Sequence, residues 1–223
     1  MKTLLAVTLA LLTTLPASGQ VAVALGPRAA IVFSNASYDP DLPSQASKSS
    51  RTGFAFGVQV QSSIAGPMYA QVELKYLQGG TVVDISGYVN PATGQPVSVK
   101  VTAKNAYFEI PVLIKARFLN GPVRPFVLAG PSVGILLAAK TLVEATGLGS
   151  SEEDAKDGTN SPNFSLVFGG GAEFMATPKI GITAEGRYLL GLSDVSKAVA
   201  GETSHTTIKG RGFLFAVGAL FYL

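Results

Sequence analysis

The stretch Arg211-Gly212-Phe213-Leu214-Phe215-Ala216-Val217-Gly218-Ala219-Leu220-Phe221-Tyr222-Leu223 decides the fold. Side chains alternate faces along a strand. One face carries Phe213, Phe215, Val217, Ala219, Phe221 and Leu223; the other carries Gly212, Leu214, Ala216, Gly218, Leu220 and Tyr222. The first is bulky and greasy, the second mostly smaller, and no polar tail follows. A soluble strand rarely ends a chain this way. A strand of an outer-membrane barrel does, with its bulky face toward lipid.

The opposite end reads as an export signal. Lys2 supplies a positive start, Leu4 to Leu15 an apolar run, and Ala17-Ser18-Gly19 the small residues of a cleavage site. This predicts a signal peptide over 1–19 and a barrel domain over 20–223. The apolar run is shorter than the roughly 20 residues of a spanning helix. The chain has no cysteine, so neither a lipid-anchored cysteine nor a disulfide contributes. A net charge of +3 gives no ground for nucleic-acid binding or a polybasic membrane patch. Hydrophobic content of 47% without a long apolar run after the signal is what a membrane β-barrel should show.

The spacing predicts about eight strands, near 21–33, 52–64, 68–79, 104–118, 124–140, 163–176, 179–192 and 209–223. The connections alternate in length. Ala65-Gly66-Pro67, Leu119-Asn120-Gly121-Pro122-Val123 and Thr177-Pro178 are tight turns. Between them lie long polar connections: Ser34 to Arg51, Gly80 to Ala103, Thr141 to Pro162, and Ser193 to Ile208. This is the up-and-down pattern of periplasmic turns and extracellular loops, and it gives an all-β, antiparallel transmembrane β-barrel.

Strand faces support the membrane version. In the fourth strand Phe108, Ile110, Val112, Ile114 and Phe118 oppose Tyr107, Glu109, Lys115 and Arg117. In the third, Val72, Leu74 and Tyr76 oppose Gln71, Glu73 and Lys75; in the seventh, Ile180, Ile182 and Tyr188 oppose Thr183, Glu185 and Arg187. Glu173 shares a face with Ser165, Gly169 and Gly171. The first and fifth strands are apolar on both faces, and parity alone leaves them open. Glycines gather on the non-bulky face, as the interior of a narrow barrel requires.

On this parity Glu73, Lys75, Glu109, Lys115, Arg117, Glu173, Glu185 and Arg187 point into the lumen, with Arg28 a candidate to join them. Opposite signs nearly cancel, and an isolated charge in so confined a space is costly unless paired or hydrated. The expectation is an ion-paired plug. A proton or ion path, or a catalytic carboxylate pair, is the alternative, but adjacent cations favour ionised carboxylates, a poor arrangement for an acid catalyst. His205 is the one histidine, in the last long loop near Ser204 and Glu202, where neither a catalytic triad nor a zinc site is expected. Glu144, Glu152, Glu153, Asp154 and Asp157 form an acidic run whose spacing is not that of an EF-hand; it reads as solvated charge, with calcium the alternative. Gly169-Gly170-Gly171 opens no helix and reads as close packing or bending within a strand. No cofactor is expected.

Three stretches resemble the PorT-like outer-membrane β-barrel family of the Bacteroidetes type. Tyr107-Phe108-Glu109-Ile110-Pro111-Val112-Leu113-Ile114-Lys115-Ala116-Arg117-Phe118 is similar to its "Y-x-E-I-P-x-L-x-K-x-x-F" strand. Arg124-Pro125-Phe126-Val127-Leu128-Ala129-Gly130-Pro131-Ser132-Val133-Gly134 is similar to its "P-Y-x-x-A-G-P-x-x-G" strand, with Phe126 in place of Tyr. Phe168 to Phe174, then Ala184-Glu185-Gly186-Arg187-Tyr188, resembles its late hairpin. The resemblance implies a barrel and permits a link to secretion or gliding, without fixing an activity. The C-terminus resembles the assembly signal of outer-membrane proteins through Gly218 and Phe221, with Ala216 where a polar residue is usual and Leu223 where Phe is usual. The expected partners are outer-membrane lipid, the barrel assembly machinery and an envelope or secretion protein. The expected role is non-enzymatic: an anchor with binding loops, or a structural part of an envelope assembly. An outer-leaflet lipid-modifying enzyme and a narrow pore are the alternatives.

Overall fold

The structure, a computed structural model, describes residues 22–89, 94–147, 149–197 and 206–223. The predicted signal peptide and cleavage site, and His205, lie outside the described residues. Nine strands are present among those described: β1 (Val23–Asp39), β2 (Ala46–Ala65), β3 (Met68–Val89), β4 (Pro96–Arg117), β5 (Val123–Ala145), β6 (Gly149–Asp154), β7 (Asn163–Thr177), β8 (Ile180–Gly191) and β9 (Thr207–Tyr222). All pairings are antiparallel. Successive strands pair around the ring, except that β5 pairs with β7 past β6, and β9 returns to β1, with Phe213 opposite Phe33 and Tyr222 opposite Ala24. The C-terminal strand thus closes the sheet, and the Leu223 amide donates to the Val23 carbonyl at 3.0 Å. Closure removes the unpaired edges that a lipid environment could not satisfy.

The outer wall is an apolar band. Leu25, Ile31, Phe33, Phe54, Phe56, Val58, Val112, Ile114, Phe168, Ile182, Phe213, Phe215 and Val217 are all exposed on it. Rings cluster along the band: Phe54 stacks on Phe56 with centroids 6.0 Å apart, and Tyr188 tilts against Phe213 at 5.0 Å. In water such a surface would be an aggregation hazard; against acyl chains it is the favourable arrangement.

The strands differ from expectation at their outer ends. A membrane strand needs about 9–11 residues, yet β3 and β4 have 22 each and β5 has 23. Most of what the sequence presents as long polar loops is therefore ladder. Val83 pairs with Val101, Ile85 with Val99, and Lys104 with Lys140. Beyond the membrane both faces of a strand are wet, so the lipid-versus-lumen alternation fades while the backbone pairing continues. The run Val97, Val99, Val101 is the β-branched signal for it.

β6 also lies within a predicted loop. It pairs only with β5, Lys140 opposite Asp154 through Ala145 opposite Gly149. Below it, β5 pairs instead with β7, ending at Gly134 opposite Asn163. On the other flank the β1–β2 ladder ends at Ser34 opposite Arg51, above which β2 follows β3 and β1 follows β9. The outer part of the wall is thus a blade of β2, β3, β4, β5 and β6, set beside the β1–β9 pair.

The parity left open in β1 and β5 has a physical reason. In β1, Ala24, Arg28 and Val32 face in and Leu25, Ile31 and Phe33 face out, so apart from Arg28 both faces are largely apolar. In β5, Phe126, Leu128 and Leu136 face in, but a register irregularity opposite Ala106 and Tyr107 shifts the phase, and Ala139 rather than Ala138 is buried. A bulge puts two residues against one and flips every side chain beyond it.

Candidate functional site in the barrel lumen

From the periplasmic turns upward, the interior is layered. The lowest layer centres on Glu173, fully buried on β7. Lys115 lies 3.5 Å from its carboxylate, Arg117 3.6 Å and Arg124 3.9 Å, and the Tyr222 hydroxyl donates to it. Arg117 also donates to the Tyr222 oxygen at 3.0 Å, and Gln61 donates to it at 3.0 Å. Two of the three cations are backed by rings: Lys115 sits 4.0 Å from the centroid of Phe126 and Arg117 3.7 Å from that of Tyr69, both within cation–π range.

The central layer is a four-membered ion cluster. Glu73 on β3 is fully buried, and Arg187 on β8 grips it with both guanidinium NH2 groups at 3.0 and 2.6 Å. Arg28 on β1 donates to Glu73 and to Glu185, and Arg187 is 2.7 Å from Glu185. Gln71 adds a donor to Glu73 at 2.6 Å. Two arginines and two glutamates balance, so the cluster buries no net charge, the condition under which buried ions are tolerated. Beside it Lys75 pairs with Glu109 at 3.1 Å.

Local sequence makes room for this layer. Gly169 and Gly171 on β7 lie under the stems of Arg187 and Glu185: an added Cβ would come within 2.7 Å of Arg187 Cγ and 2.6 Å of Glu185 Cβ. The glycine run is space for two charged neighbours. Above the ions an apolar layer follows, built from Val32, Ala55, Leu77, Tyr107, Leu136, Ala139, Leu214 and Ala216.

The structure thus brings Glu73, Glu185, Arg187 and Arg28 into one cluster, Lys75 and Glu109 into a pair, and Lys115, Arg117 and Glu173 into a second cluster. Sequence reasoning missed Arg124, because it stands beside a turn where parity is not yet established. It also left out Tyr222, Gln61 and Gln71, which the alternation placed on the inner face but which carry no charge.

Outside the membrane, Glu152 of β6 accepts from Lys104 and Lys140, each at 2.7 Å. Those two bonds hold its carboxyl down at about 2, and the bond to Glu152 raises the Lys140 amine. Among the described residues no cluster of acidic or histidine side chains has the geometry to hold a metal ion. The third and fourth long connections are tied together: Asn160 donates to the carbonyls of Asp194 at 3.2 Å and Ser196 at 2.7 Å.

A closed antiparallel sheet with an apolar exterior and a charged, paired interior is an outer-membrane β-barrel. The chain belongs to the outer membrane protein beta-barrel domain family, whose profile matches residues 18–197. The protein is accordingly a resident of the bacterial outer membrane. No functionally curated protein matches the chain. Among solved structures, OprG from Pseudomonas aeruginosa is 10% identical with a TM-score of 0.50, covering 91% of this chain and 96% of that one. Neisserial surface protein A is 17% identical over 89% of this chain and 97% of that one, with a TM-score of 0.45. Ail, the attachment invasion locus protein of Yersinia pestis, is 13% identical over 90% and 98%, with a TM-score of 0.39. These likenesses concern the fold.

Proposed function

We propose that the protein is a non-enzymatic outer-membrane anchor whose lumen charge network closes the bore and whose outer blade binds a partner. The PorT-like pattern makes an envelope or secretion protein the preferred partner. The observation that carries this reading is the four-ion cluster of Arg28, Glu73, Glu185 and Arg187 across the mid-lumen. It stabilises a closed wall and leaves none of its carboxylates without a cation, whereas a general acid must be able to give up and regain a proton. Lys115, Arg117 and Glu173 do the same nearer the periplasm. The polar surface available for recognition then lies outside the membrane, on the extended β3–β4 and β5–β6 hairpins. Assembly through the C-terminal strand is part of the same reading, because β9 is the strand that closes the ring.

The test is capture from native membranes with the intact protein and with a variant joining Thr81 to Thr102 through a tight turn. The proposal expects the intact protein to retain a specific envelope protein and the shortened one to lose it while remaining membrane-inserted. Equal capture by both would refute a role for this hairpin; loss of capture through Glu73→Gln alone would move the function into the lumen.

A further inference from the structure

The apolar layer above the ions is the floor of a cavity of about 470 Å³ at the extracellular end of the lumen. That volume is in the range of small-molecule sites. Val32, Leu77, Tyr107 and Leu189 supply apolar surface, and Asn35, Thr81, Asn105 and Thr159 supply polar surface above and around it. The rim is braced. Thr81 Oγ1 donates to Asn35 Oδ1 at 3.1 Å, and a bridge pairs Thr159 with Ser196.

Glu109 also lines this cavity, although it is only 5% exposed. Its Oε2 lies 3.1 Å from Lys75 Nζ, yet neither atom makes an aligned hydrogen bond among the described residues. Buried polar atoms are normally satisfied. Lys75 is not among the lining residues, so Glu109 alone presents a carboxylate to the base of the apolar chamber.

We propose that this cavity binds a small, uncharged, mainly apolar molecule bearing a hydroxyl group. The hydroxyl donates to Glu109, and the apolar body packs on Val32, Leu77, Tyr107 and Leu189. A hydroxyl supplies the donor that an ionised carboxylate, an acceptor only, requires. A carboxylate end is disfavoured, because Glu109 and Asp154 line the chamber and Arg211 is the one cation among its lining residues. This site is separate from the blade surface and does not depend on what the blade binds.

Gly210 provides the discriminating variant. It lies on the cavity wall, and a Cβ there would meet nothing within 4 Å, so a larger side chain has open space to grow into. Purified protein in lipid nanodiscs is irradiated with a diazirine-bearing decanol, and labelled peptides are mapped. The proposal expects labelling of the segments carrying Leu77 and Leu189, displaced by excess plain decanol, beyond the background on the lipid-facing band. In Gly210→Leu with normal heat-modifiable mobility, that labelling should fall about tenfold or more, since the leucine occupies the space. A matched decanoate probe should label the cavity weakly. Labelling confined to the outer band, cavity labelling that plain decanol does not displace, or cavity labelling unchanged in a folded Gly210→Leu barrel would each overturn the site. Equal labelling by decanoate would overturn the assignment of the head group. If Gly210→Leu does not fold, displacement by plain decanol in the unaltered protein decides.

Discussion

Arg187 on β8 holds both carboxylate oxygens of Glu73 on β3, with Nη1 3.0 Å from Oε2 and Nη2 2.6 Å from Oε1. The two residues are 114 apart in sequence and sit on strands that are not neighbours in the ring. A two-pronged bond across the lumen does what no ladder can: it fixes opposite walls to one another. Planar, paired geometry of this kind is the reason arginine rather than lysine suits the position.

Breaking that bond from one side leaves a buried charge without its partner. Arg187→Met should lower the stability of the folded barrel by about 3–5 kcal/mol, and Glu73→Gln by a comparable amount. The double variant retains Arg28 with Glu185, a balanced pair, so it should be more stable than the less stable single variant. Urea-induced unfolding in lipid vesicles measures all three. Additive losses in the double variant would show that the two residues do not act as a pair.

Facing is tested on the last strand. Val217 is 60% exposed in the apolar band, and Val217→Arg should cost about 2–4 kcal/mol if it sits near the bilayer midplane. Spin labels replacing Phe215 and Val217 should both read as lipid-exposed. Gly218 cannot carry a probe, because a Cβ there would come within 2.9 Å of Gln59 Nε2 and 3.0 Å of the Pro27 carbonyl. A lumen signal at Val217 would reverse the parity of β9.

The blade carries a pH signature. The Glu152 carboxyl is held at about 2 by hydrogen bonds from Lys104 and Lys140. A carboxylate with a depressed folded value contributes stability that is present above its unfolded value, about 4.3, and is lost as pH falls through about 2. Attachment of β6 to the blade should therefore weaken between those two values, and high salt should blunt the effect because the group is exposed to solvent. A carboxyl NMR titration of Glu152 and a label distance between β5 and β6 read it out. A midpoint at the ordinary glutamate value would remove the two lysine bonds from the account.

Much of the wall was legible because lipid imposes a period of two. Phe213, Phe215 and Val217 against Leu214 and Ala216 can be read from the sequence, and so can Glu73 and Lys75 against Val72 and Leu74. Legibility ended where that constraint ended. Beyond the membrane, the sequence Gly80 to Ala103 is polar and glycine-bearing, and reads as loop, although Thr81 pairs with Ala103 and Val83 with Val101. β6 has the sequence Gly-Ser-Ser-Glu-Glu-Asp and no strand signal of its own; its place is set by pairing with β5 and by the lysines that hold Glu152. The inward direction of the charges followed from parity, but their partners did not. Nothing in the spacing of Arg28, Glu73 and Arg187 says that β1, β3 and β8 point them at one another.

Single-channel recording shows whether ion pairs close the bore. Purified, refolded protein in planar bilayers should give no large, steady conductance, because Arg28, Glu73, Glu185 and Arg187 cross-link the mid-lumen. A steady, ion-selective current from the unaltered protein would contradict it, and a pore would replace the anchor as the reading of this barrel.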